Sequence, residues 1–256
     1  MSNSESILTE TRGSVLLITI NRPERRNAFD FATADAMSRA IDAFEDDPEL
    51  QVAVLSGAGG SFCAGMDLKA FAEGDVPYVE RRGVFGVINE PPTKPLVAAV
   101  EGHVLAGGFE LMLACDIVVS AESATFGIPE VKRGLLAASG GLVELAKRVP
   151  LAIAMELALT GEPITAARAY ELGLVNRLAD AGTTLDAAIE VAEAIAANAP
   201  LAIGASKQIL MQARDWPTTE ALSRQGPVAG PVLVSEDAKE GARAFAEKRA
   251  PRWSGR

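Results

Sequence analysis

Two glutamates carry neighbours suited to chemistry. Glu110 closes the segment Gly102-His103-Val104-Leu105-Ala106-Gly107-Gly108-Phe109-Glu110, and Glu130 closes Phe126-Gly127-Ile128-Pro129-Glu130. A carboxyl pair can divide acid and base work when its surroundings set the two pKa values apart. Gly107-Gly108 reads as the opening of an apolar helix, where the first N–H groups lack partners and the dipole favours negative charge. Glu110 falls in its first turn. The helix end stabilises the charge while apolar neighbours oppose it, and the sequence leaves open which effect wins. A third segment, Ser61-Phe62-Cys63-Ala64-Gly65-Met66-Asp67-Leu68-Lys69, places small residues where a ligand could reach bare backbone. Two amides from such turns can receive an oxyanion, each worth about 2.7–4 kcal/mol in a transition state. Taken singly, each segment also has a plain structural reading: glycine pairs make turns, and a lone first-turn glutamate complements a helix dipole at a surface.

The elements around these segments alternate. Residues 14–20 (SVLLITI) form a β-branched apolar run that Asn21-Arg22-Pro23 stops. Ala34, Met37, Ile41 and Phe44 follow at helical spacing and end before Pro48. Short interior strands are expected at 52–55, 96–100 and 117–119, with another at 125–126. This strand–turn–helix rhythm marks an α/β chain. Beyond residue 140 the pattern becomes helical, at 142–148, 152–159, 166–172, 185–197 and 201–213. Residues 214–231 are rich in Pro and Gly and read as a loop or hinge. Residues 235–248 read as a helix capped by Ser235, with Glu236 and Asp237 in its first turn. The division expected is 1–199 for the α/β core with its site and 200–256 for a helical region.

Composition narrows the partners. The chain has 256 residues and is 48% hydrophobic, enough for a large core. Its net charge of −10 argues against a nucleic-acid partner and against anionic membranes. An anionic small ligand stays possible if a few local cations hold it. Cys63 and Cys115 make no disulfide framework, and the single His103 removes most zinc sites, so no metal is expected. The opening MSNSESILTE lacks the basic start and apolar run of a secretory leader, and no run approaches a membrane span. A cytoplasmic location is the expectation.

Several familiar motifs fail. Gly57-Ala58-Gly59 would need a third glycine where Phe62 stands. The spacing from Gly102 to Gly107 lacks the Lys-Ser/Thr of a phosphate loop. Ser139 lacks the preceding glycine of a nucleophile elbow, and the one histidine lies upstream of it.

The three segments taken together, in this order, resemble the enoyl-CoA hydratase/isomerase (crotonase) family. The resemblance runs essentially end to end, from Asn21-Arg22-Pro23 and Asn27-Ala28 through the three segments. It continues through Leu159-Thr160-Gly161 to Ala244-Phe245-Ala246-Glu247-Lys248-Arg249. The combination is specific to the family, not to one reaction. Residues 235–241, 251–256 and Gly108-Phe109-Glu110-Leu111 are most similar to its carnitinyl-CoA dehydratase branch.

The resemblance implies a spiral of ββα units followed by a helical trimerisation region, assembled as a homotrimer or homohexamer. It implies an acyl- or enoyl-CoA substrate of fatty-acid type and no separate cofactor, since coenzyme A is part of the substrate. The main-chain N–H groups of Met66 and Gly107 would form the oxyanion hole. Glu110 would take a proton from water, and Glu130 would protonate the α-carbon. Backbone at Ala64, Gly65, Met66, Asp67 and Leu68 would line the adenine pocket. Lys69, Arg25 and Arg26 would meet phosphate or ribose, the Ala138 N–H would hold water, and Lys248 would reach a neighbouring subunit's CoA. Residues 70–92 would shape the acyl pocket. Ala137 and Ala138 depart from the family's usual Pro followed by Gly or Asp, so no carboxylate stands at 138. The reaction implied is hydration of a 2-enoyl-CoA. The alternatives are a carnitinyl-type dehydration, a double-bond isomerase using Glu130 alone, and a non-catalytic CoA- or RNA-binding member.

Overall fold

The computed structural model describes residues 5–256. The first four residues of the polar N-terminal stretch lie outside the described residues.

A six-stranded sheet forms the frame, in the order β1-β2-β3-β6-β8-β11. Its strands are β1 (Ile7–Arg12), β2 (Val15–Ile20), β3 (Val52–Gly57), β6 (Leu96–Val100), β8 (Ile117–Ala121) and β11 (Arg177–Ala179). Only the β1–β2 hairpin is antiparallel; the remaining pairs are parallel. A small second sheet joins β7 (His103–Leu105), β9 (Thr125–Gly127) and β10 (Ile164–Thr165). A short hairpin joins β4 (Tyr78–Val79) to β5 (Gly83–Val84).

The helices are α1 (Phe31–Asp46), α2 (Leu68–Ala72), α3 (Gly107–Leu113), α4 (Gly141–Arg148) and α5 (Leu151–Thr160). They continue with α6 (Ala166–Glu171), α7 (Thr184–Ala196), α8 (Pro200–Ala213), α9 (Ala221–Leu233) and α10 (Glu236–Glu247).

The central strands are mostly apolar because both sheet faces are covered. Val15, Leu17, Val52, Val54, Val97, Ala99 and Val119 pack on one face against Ala188, Ile189, Val191 and Ala192 of α7. Leu16, Ile18, Ile20, Ala53, Leu55 and Ala98 alternate with them and face the larger core, which includes Met37, Ile41 and Phe44 of α1. The period-2 alternation of each strand thus feeds two separate cores.

One expectation is corrected. Residues 214–231 are not a loop throughout: α9 runs across Pro227 and Pro231. Each proline follows a glycine, Gly226 and Gly230, so the ring meets no Cβ on the preceding residue. The helix continues, although each proline still removes one backbone donor. Six strands, β1, β4, β5, β7, β10 and β11, lie outside those expected from the sequence. β1 is exposed at every residue but Ile7 because it is the sheet's edge strand, and β7 lies inside the glycine-rich segment before Glu110. Among the described residues no single helix is long and apolar enough to cross a membrane.

Candidate active site

The site begins where β7 turns into α3. Ala106 carries a positive φ of 53° at the helix N-cap, a conformation L residues rarely adopt. Gly107 and Gly108 follow because nothing larger fits. A Cβ on Gly107 would overlap the Phe85 ring, and one on Gly108 would overlap the Cys63 carbonyl oxygen. Gly65, with φ of 93°, comes so close that a Cβ there would lie 2.8 Å from the Gly107 nitrogen. The two turns are stitched together by Cys63 N–H donating to the His103 carbonyl at 3.2 Å and Leu105 N–H donating to the Cys63 carbonyl at 3.3 Å.

Around Met66 the neighbours are paired. Ala64 N–H donates to the Arg26 carbonyl, Gly65 N–H to the Cys63 sulfur, and Asp67 N–H to the Phe29 carbonyl. Among the described residues neither the Met66 N–H nor the Gly107 N–H donates to a protein acceptor. Two free amides from two abutting turns can receive charge on a ligand oxygen.

Glu110 is 4% exposed, so it is not the surface dipole residue of the plain reading. Its Oε1 accepts the N–H of Ser139 at 2.7 Å and of Gly141 at 2.9 Å, and so caps the start of α4. A Cβ on Gly141 would lie 2.7 Å from Cγ of Glu110, so glycine is required there. Burial pushes the Glu110 pKa up, and the two N–H donors oppose that only in part.

Glu130 lies in the 3₁₀ turn Pro129–Arg133, after β9. Its Oε2 is buried and has no hydrogen-bond partner among the described residues. Burial again raises its pKa, and the Glu110 charge adds to the rise against its own backbone N–H and Arg133. Glu110 and Glu130 therefore act on one another electrostatically.

Arg22 and Asn27 supply support that sequence reasoning did not single out. Arg22 pairs with Asp30 at 2.8 Å and with Asp67 at 3.3 Å, and donates to the Ala28 carbonyl. Buried Asn27 donates to the carbonyls of Ala58 at 2.9 Å and Ser61 at 2.6 Å. The Asn21–Ala28 stretch thus fastens the glycine turn to the Met66 turn. The sequence showed its strand-stopping role and its part in the family resemblance, but not these bonds.

Arg26, Ala64, Gly65, Met66, Asp67 and Gly107 come together here, with Arg25 adjoining. Arg25 and Arg26 are exposed, as are Leu68 and Lys69 at the start of α2. The Asp67 side chain is occupied, accepting from the N–H groups of Lys69 and Ala70. Burial pushes its carboxyl up, but those N–H groups with Arg22 and Arg25 bring it below the ordinary carboxylate value. Ala138 is exposed beside Ser139. Both line a cleft of about 1220 Å³ with Glu110, Val84, Ile88 and Leu210. Lys248 stands apart, exposed at the left-handed end of α10 and outside that cleft. The two thiols are buried and free, and burial pushes Cys63 up to about 12.

A parallel-sheet spiral presenting two free amides, with buried Glu110 and half-buried Glu130, defines an α/β fold built for acyl-thioester chemistry. The family model for enoyl-CoA hydratase/isomerase matches residues 10–256, and the chain belongs to that family. An enoyl-CoA hydratase of Mycobacterium tuberculosis is 42% identical over 97% of this chain and 96% of its own length. A carnitinyl-CoA dehydratase of Proteus mirabilis is 43% identical over 99% of this chain and all of its own. A crystal structure of an enoyl-CoA hydratase from Mycobacterium tuberculosis superposes with a TM-score of 0.96 at 55% identity, covering 99% of this chain and 100% of that one.

Proposed function

We propose that the chain catalyses the reversible addition of water across the C2–C3 double bond of a 2-enoyl-CoA. The observation that carries this reading is the unequal solvation of the two glutamates. Glu110 receives two main-chain N–H groups on one oxygen, which favours the carboxylate and leaves the other oxygen to act as base. Glu130 buries an oxygen without a partner, which favours the protonated acid.

The thioester oxygen would face the N–H groups of Met66 and Gly107. As the water oxygen bonds to C3, Glu110 takes a water proton and negative charge collects on the thioester oxygen. Glu130 then delivers its proton to C2, and the two carboxyls exchange protons with solvent to reset. No separate cofactor enters these steps. The Ala138 N–H suits the water. Arg25, Arg26 and Lys69 suit the CoA phosphates, and backbone from Ala64 to Leu68 suits the adenine. The acyl tail fits the cleft beside Val84 and Ile88.

Residues 200–256 form the assembly region in this reading. Leu222, Leu233, Val234 and Phe245 are exposed there, which supports a homotrimer or homohexamer in which Lys248 reaches a neighbouring copy's CoA. The setting is the cytoplasm. Names of relatives support water addition or removal as the chemistry, and the Proteus relative favours a second reading, dehydration of a 3-hydroxyacyl-CoA of carnitinyl type. It uses the same residues in reverse, although Ala138 supplies no carboxylate. Isomerisation would need Glu130 alone and leaves the capped Glu110 without a role.

A panel of 2-enoyl-CoA esters, followed by loss of the conjugated absorbance, tests the proposal. Turnover of at least one ester, lost in Glu110→Gln, is expected. Absence of turnover across the panel would overturn hydration, and full activity in Glu110→Gln would shift the assignment to an isomerase.

A further inference from the structure

Arg82 is 2% exposed, and its charge serves none of the steps above. It lies between the two strands of the β4–β5 hairpin. Its Nε donates to Asp42 of α1 at 2.7 Å and its Nη1 to the Glu90 carbonyl at 2.8 Å. A buried cation fixed at two points holds one geometry because moving it would leave charge unpaired. The chain beyond it is equally fixed. Phe85 N–H donates to the Pro77 carbonyl at 2.8 Å, and Val84 N–H to Asn89 Oδ1 at 3.0 Å. A Cβ on Gly86 would overlap the Ala34 carbonyl of α1.

This anchoring holds Phe85 at a φ of 55°, outside the usual region for a bulky residue. Such a conformation persists where surrounding contacts over-determine it. The Phe85 ring lies where a side chain on Gly107 would be. Its centroid is also 4.7 Å from the Phe29 ring, at an angle of 42°. Phe29 in turn brackets Met66: its N–H donates to the Gly65 carbonyl at 2.9 Å, and its carbonyl accepts the Asp67 N–H at 2.8 Å. One aromatic pair therefore touches the Gly107 turn with one ring and holds the Met66 turn with the main chain of the other.

We propose that Phe85 is a positioning residue that sets the spacing of the Met66 and Gly107 amides through its contact with Phe29, and that buried Arg82 holds Phe85 in place. This rests on the reading of those amides as receivers of charge on the thioester oxygen. A misplacement of about 1 Å at such donors can cost 10²-fold in rate. Substrate binding should change little, because the interaction gained in the transition state is the one removed.

The test combines kinetics on Phe85→Ala, Phe85→Leu and Arg82→Lys with the spectrum of a bound 2,4-dienoyl-CoA. The spectra are recorded in the Glu110→Gln background so that the ligand is not consumed. Donors aimed at the thioester oxygen polarise the conjugated system and move its absorbance to longer wavelength. The expected result is a loss of kcat approaching about 10²-fold in Phe85→Ala, with KM near wild type and a smaller red shift. Phe85→Leu, which keeps apolar bulk, should fall between, and Arg82→Lys should move in the same direction. If Phe85→Ala does not fold, Phe85→Leu is read by the same criteria. Unchanged kcat and red shift in a folded variant would overturn the proposal. So would a raised KM with unchanged kcat, which would make Phe85 a wall of the acyl pocket. A parent protein with neither turnover nor red shift would instead remove the underlying functional reading.

Discussion

The spiral core and the C-terminal helices bury their residues very differently. Every residue of α3 is buried, and the central strands are buried on both faces. Helices α8 and α9 contain no buried residue, and α10 contains only Asp237 and Ala244. Yet the C-terminal helices are not polar: Phe245 is 88% exposed and Leu222 83%. Large apolar side chains left open on one region of a chain mark a surface for another molecule. The buried chemical groups therefore sit in the core, while the open apolar surface sits in the arm, although α8 also lends Leu210 to the wall of the Glu110 cleft. The core is fixed by its own packing, whereas the arm leaves large apolar side chains open.

That contrast breaks most sharply at the glutamates. Glu110→Gln and Glu130→Gln should each lower turnover by about 10²–10⁴-fold, with CoA-ester binding near wild type. Steady-state kinetics with calorimetric binding checks both. Next is the arm. Leu233→Glu with Phe245→Glu should reduce the assembly to monomers while far-ultraviolet dichroism of the core persists, as read by light scattering. An unchanged oligomer would move the interface elsewhere.

Glycines give a smaller and opposed pair of effects. Gly108→Ala in α3 places a methyl on the Cys63 carbonyl oxygen, which is rigid backbone, and should cost about 1–3 kcal/mol. Gly204→Ala in α8 meets nothing within 4 Å and should stabilise by about 0.5–1 kcal/mol through the helix interior. Urea melts of the two variants test whether the core is tight where the arm is open.

The legible features were those encoded within a few residues. The apolar strand at 96–100, the Ser235 cap and the Gly107–Gly108 helix opening follow from local pattern, and the structure has all three. The burial of Glu110 was not legible, since its partners Ser139 and Gly141 arrive from a distant turn. The Arg82–Asp42 pair was equally hidden, because an arginine in a charged run reads as solvated until the fold closes over it. Helix α9 was misread because two prolines outweigh helical spacing locally, and the relieving glycines matter only once the helix exists.

The last contrast is in pH, and the two regions should respond with opposite sign. In the core, the raised Glu130 pKa means that the folded chain holds a proton the unfolded chain releases above the ordinary carboxylate value of 4.5. Folding stability from this site is therefore present below 4.5 and falls as pH rises from there through the raised folded value. In the arm, Arg249 and the Arg252 N–H bring Glu240 down to about 2. That contribution is present above 4.5 and is lost as pH falls towards 2; the pair lies at the surface, so its effect is the smaller. Glu130→Gln removes its own share of the core response, leaves that of Glu110, and keeps the arm response. Its melting temperature should match wild type near pH 4 and exceed it increasingly as pH rises through the raised folded value, whereas Glu240→Gln should be less stable than wild type at pH 8 and approach it in acid. Parallel melting curves for Glu130→Gln and wild type across this range would mean that Glu130 ionises without a folding penalty, and would remove the physical basis for making it the acid.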